Sequence, residues 1–134
     1  MYEEEKDNQY VFSDHFDRQF LEELYAGDTE AAAEVFHASL VQIVDEMKLA
    51  DEKFADGDIT GVRKIYHKIK PLFGYMGLLS VQDFVQHFED HCRDTVLIAD
   101  IQTAFENIKE IIRGSLSLAR EEHHKLNDHN NRRA

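Results

Sequence analysis

The sequence predicts an all-α protein: an antiparallel up-down four-helix bundle with an additional short N-terminal helix. Three observations carry this. Apolar residues recur at intervals of three and four, glycine is scarce and Pro71 is the one proline, and no two-residue hairpin signal separates alternating runs. The first helix is expected over about Asp14 to Ala26, with Phe16, Phe20 and Leu24 inward and Gly27 as its stop. Asp28 or Thr29 can cap a second helix reaching about Ala55, striped by Phe36, Leu40, Ile43, Met47, Ala50 and Phe54. Gly57 breaks it, and Asp58 can cap a third that runs to about Met76. Ser80 and Asp83 resemble a capping box for a fourth helix, whose stripe is Val81, Val85, Phe88 and Cys92. The fifth, from about Ala99 to His123, carries Ile101, Phe105, Ile108, Ile112, Ser115 and Ala119. The expected organisation is a flexible acidic segment at 1–12, a helical bundle at 13–124 and a polar C-terminal tail at 125–134, in which His123, His124 and His129 are expected to be solvated.

Charge and composition narrow the function classes. A formal net charge of −12 argues against general affinity for nucleic acid or anionic membranes, while leaving room for a small basic patch. Cys92 is the single cysteine, so no internal disulfide or paired-cysteine metal framework is expected, and its place on an apolar stripe suggests packing. No apolar run approaches the ~20 residues that span a bilayer, and MYEEEKDNQY lacks a signal-peptide pattern. A soluble, cytoplasmic monomer is the expectation.

The third helix holds the chemistry. Its stretch IYHKIKPLFGYMG, Ile65 to Gly77, places a histidine, lysines, proline and two glycines inside a helical apolar pattern. At about 100° per residue, Val62, Ile65, Tyr66, Ile69, Leu72, Phe73 and Met76 form a broad core face opposite His67. Within about 60° of His67 lie Thr60, Arg63, Lys64, Lys70, Pro71 and Gly74. The histidine should therefore face solvent among cations on an anionic protein. The plain alternative is an ordinary solvated histidine on a solvated basic face. Against it, glycine inside a helix costs about 1 kcal/mol relative to alanine, so Gly74 suggests a dent that something needs. Pro71 also removes the amide hydrogen that would bond the carbonyl of His67.

The pattern His67-x-x-Lys70-x-x-x-Gly74-x-x-Gly77 resembles the active-site signature of histidine-containing phosphotransfer (HPt) domains. In that family the phosphorylated histidine is followed by lysine at +3, a small residue at +7 and glycine at +10, on an up-down four-helix bundle. The resemblance extends over about residues 13–122 in helix order. Val85 to Glu89 sit where the family has an apolar residue or cysteine, then leucine and glutamate. The family usually has glycine at +4, where this chain has Pro71. The resemblance implies a phosphorelay carrier. His67 would accept a phosphoryl group through Nε2, Glu89 would hold Nδ1–H, Lys70 would be first choice for the phosphate, and Lys64 would help offset its charge. Arg63, Pro71, Gly74, Gly77 and Arg93 would belong to the docking surface, with Tyr75 or Leu78 as exposed apolar rim. Implied partners are response-regulator receiver domains, which supply an aspartate and Mg²⁺, and a hybrid sensor histidine kinase. No cofactor is expected on this chain.

Other classes fit less well. The phosphoacceptor helix of a sensor kinase normally has an acidic residue directly after its histidine and proline at +5; here Lys68 follows and Pro71 is at +4. No nucleotide-binding segment stands out, so no autonomous kinase activity is expected. Asp83, His87 and His91 could form at most a chance metal site, because His87-Phe88-Glu89-Asp90-His91 is not a zincin motif. The alternative from a different class is a non-catalytic helical-bundle interaction scaffold, which would not need the lysine, small-residue and glycine spacing after His67.

Overall fold

The computed structural model describes residues 9–133, which hold α-helices, one 3₁₀ turn and no strand. The helices are α1 (Arg18–Tyr25), α2 (Thr29–Ala55), α3 (Ile59–Tyr75), α4 (Leu79–Arg93) and α5 (Gln102–Arg133), with a 3₁₀ turn at Ile98–Ile101 before α5. Aspartates set three of the starts. Asp17, Asp28 and Asp58 each accept a hydrogen bond from the backbone N–H three residues on, at Phe20, Ala31 and Gly61.

α2 packs on α3 and α5, and α4 packs on the same two, so four helices close a ring around one core. Cross-helix pairs give the direction. His67–Glu89 and Lys70–Gln86 step oppositely along α3 and α4, as do His37–His123 and Phe54–Phe105 along α2 and α5, so both pairs of helices run antiparallel. Within the ring, Phe54 stacks on Phe105 at 4.3 Å between centroids, and Tyr66 meets the Phe88 edge at 4.7 Å. The whole of the expected α3 core face turns inward, Leu72 less completely than the rest. The Tyr66 hydroxyl is buried there without a hydrogen-bond partner.

Several boundaries differ from expectation. α1 begins at Arg18, because the extended backbone of its cap Asp17 starts a new helical phase. Phe16 therefore packs from the preceding turn, Leu21 is the inward residue of α1, and Phe20 and Leu24 are exposed. α4 starts at Leu79 behind Leu78, which makes no side-chain cap, so Ser80 and Asp83 do not form a capping box. The largest difference is at the ends. α5 continues to Arg133, with Glu122, Leu126 and His129 buried, so 125–133 is helix and not a solvated tail. His129 lies edge-on to the Tyr10 ring at 5.3 Å. Residues 9–12 of the expected flexible segment are tied down too: Phe12 is buried, and the Tyr10 hydroxyl donates to the Glu122 carboxylate, as does the Ser13 N–H at 3.2 Å. The rest of that segment, 1–8, lies outside the described residues. Among the described residues no helix is long and apolar enough to cross a membrane.

Candidate functional site

α3 presents His67 on its outer face, with 70% of the side chain exposed. Facing it from α4 is Glu89, 1% exposed despite its charge. Glu89 Oε1 lies 2.7 Å from His67 Nδ1, and Glu89 Oε2 accepts from Lys70 Nζ at 2.8 Å. A carboxylate accepts only, so Nδ1 carries a proton, and in the neutral imidazole the free lone pair is then on Nε2. Lys70, 20% exposed, also donates to Gln86 Oε1. Gln86 in turn donates to Asp90 Oδ1 at 3.0 Å, and Arg93 donates to the same oxygen at 3.0 Å. A buried carboxylate is tolerable only when its charge is paired and its lone pairs are met, and Lys70 with His67 meets both conditions.

The site thus combines an outward nucleophilic nitrogen with a ring fixed from behind. The antiparallel register places Glu89 opposite His67 and Gln86 opposite Lys70. Glu89 falls inward because Val85, Phe88 and Cys92 bury the same side of α4. Cys92 packs inside, and burial pushes its thiol up to about 11.

The remaining expected residues do not share one environment. Arg63 and Lys64 stand one turn before His67, Lys64 exposed and Arg63 partly so. Arg93 is exposed and shares with Arg63 the lining of a cavity of about 390 Å³ beyond that turn. Pro71 is exposed, and α3 runs through it unbroken. Gly74 does not leave the open room expected of it, and Gly77 is buried in a turn. Gly74 is buried, and a Cβ there would lie 3.0 Å from Gln82 Nε2, so this glycine admits a side chain from α4. Gly77 has φ +69° in the turn between α3 and α4, and a Cβ would meet Leu21 of α1 at 2.6 Å. Leu78 is buried and forms no rim, whereas Tyr75 is exposed and its carbonyl accepts from the Tyr25 hydroxyl.

Three contributors went unseen in the sequence: Gln86, Asp90 and Gln82. The position three residues before Glu89 on one helix face was the available signal for Gln86, and Gln82 continues that row. Among the described residues no group of three His, Cys, Asp or Glu side chains could hold a metal ion, so Asp83, His87 and His91 do not form one. Comparisons with protein-family models, curated proteins and solved structures gave no match to this chain.

Proposed function

We propose that the protein is a histidine phosphotransfer carrier of a multistep phosphorelay, built as an up-down four-helix bundle (α2–α5) with α1 as the additional N-terminal helix. The observation that carries the reading is the exposed His67 ring, with its Nδ1 held at 2.7 Å by a buried carboxylate. That arrangement suits an imidazole that must present Nε2 alone to an incoming group.

In the proposed step, the Nε2 lone pair attacks the phosphorus of a receiver aspartyl phosphate. The bond from phosphorus to the acyl oxygen breaks, and the aspartate leaves with that electron pair. His67 keeps its Nδ1 proton and donates it in a hydrogen bond to the Glu89 carboxylate, whose negative charge offsets the positive charge that builds on the ring. Return transfer to a second receiver is the reverse. Phosphoryl transfer depends mainly on positioning and charge neutralisation, so the carrier can be simple while the receiver brings Mg²⁺. The proposed partners are receiver domains and a hybrid sensor histidine kinase, the proposed setting is cytoplasmic and monomeric, and no kinase activity of the chain's own is part of the reading.

The test is to mix the protein with phosphorylated receiver domains and Mg²⁺, and to look for acid-labile, base-stable label on it. Wild type should acquire label and His67→Gln should not. Label persisting in His67→Gln rejects the site, and no label from any cognate receiver favours the interaction scaffold.

A further inference from the structure

The cations around His67 are not equally free to act. Lys70 is held by both Glu89 Oε2 and Gln86 Oε1, and withdrawing it would strip a buried carboxylate of its charge partner. Lys68 Nζ is held by Glu46 Oε1 at 2.7 Å, and Arg93 by Asp90. Neither Arg63 nor Lys64 makes an ion pair with any described residue, but Arg63 is partly buried and lines a cavity with Cys92 and Arg93 of α4, whereas Lys64 is exposed.

Geometry favours the same lysine. The two ring nitrogens of an imidazole point more than a right angle apart, so with Nδ1 turned to Glu89 on α4, Nε2 looks outward and away from α4. Lys70 lies on the α4 side of His67, whereas Lys64, three residues earlier, lies on the other.

We infer that Lys64, and not Lys70, is the cation that seats the phosphoryl group on His67, Lys70 being the positioning residue that pairs with Glu89 and holds it in place. This rests on the phosphotransfer reading above. A phosphoryl group brings close to two negative charges and three acceptor oxygens, which a free ammonium can meet without breaking an existing pair.

The experiment needs no receiver. The full chain is phosphorylated with potassium phosphoramidate: Nε2 attacks phosphorus, the reagent's protonated P–N bond breaks, and ammonia leaves with the bonding pair. Phosphorus NMR then follows the titration of the phosphohistidine. Lys64→Gln should raise the midpoint by about half a pH unit, because a nearby cation favours the dianion, and Lys64→Arg should restore it. Lys70→Gln should leave that midpoint within about 0.2 unit while moving the Nδ1 resonance of the unphosphorylated protein. A midpoint unchanged in Lys64→Gln overturns the inference whether or not Lys70→Gln folds. Failure of receiver transfer with the Lys64-dependent midpoint intact rejects the relay and upholds the seat; efficient transfer with a Lys64-independent midpoint does the opposite.

Discussion

Replacing Glu89 with glutamine tests the centre of the site, because it keeps the shape and removes the charge. Glu89 is 1% exposed and receives two donors, His67 Nδ1 at 2.7 Å and Lys70 Nζ at 2.8 Å. A hydrogen bond to a charged group contributes roughly 1.5–3 kcal/mol. The glutamine carbonyl can still accept from one donor, but its NH₂ faces the other, and Lys70 at 20% exposure regains only part of its hydration. The expected loss is therefore about 2 kcal/mol, or roughly 6–10 °C in Tm for a chain of this size. Coupling should appear in a double-mutant cycle: in a Lys70→Met background the same change should cost about 1 kcal/mol less. The ring responds as well. With an amide beside it, Nδ1 no longer faces an obligatory acceptor, and long-range nitrogen–proton spectra should show both tautomers. Transfer from a phosphorylated receiver should slow by about tenfold, the rate equivalent of 1.4 kcal/mol. A Tm change under about 2 °C together with an unaltered tautomer would refute the reasoning.

Other outcomes follow from the core. Tyr66→Phe removes a buried hydroxyl that has no partner and should stabilise the protein by about 1 kcal/mol in urea unfolding; a loss of that size would mean that the hydroxyl is satisfied. Leu126→Ala should cost roughly 2–5 kcal/mol, since Leu126 is fully buried, and an unchanged urea midpoint would return residues 125–133 to a solvated tail. Cys92 is held up to about 11 from an ordinary 9.0 by burial, so between those values the folded chain binds more protons than the unfolded one. Stability is full below pH 9 and falls as pH rises towards 11; Cys92→Ala should flatten that fall, measured by urea unfolding at pH 8.5 and 10.5.

Much of the site could be read from the order of residues because α3 is strongly two-sided. Its apolar positions fix which way His67 faces, and the depth of Glu89 follows from the stripe it borders. The caps at Asp28 and Asp58 were legible for the same local reason. What escaped is non-local. Gly74 reads as open space from its own helix, and only the packing of α4 puts Gln82 against it. Lys70 reads as a free cation until Glu89 and Gln86 are brought beside it. At the C-terminal end, the α5 stripe of Ile112, Ser115 and Ala119 continues through Glu122, Leu126 and His129 at the same alternating steps of three and four. Two of those continuing positions are polar, so composition hid the periodicity, and Glu122 is accommodated by Tyr10 and Ser13 from the far end of the chain.

Gln9 and Arg133 line one cavity, at the end of the molecule where α1 meets α2. In a variant trimmed to residues 9–133, an added loop could join these two positions, and the chain could be opened anew at the exposed Val96–Leu97 segment without cutting α3 or α4. Such a permuted molecule would have rearranged connectivity around an unchanged His67–Glu89 pairing.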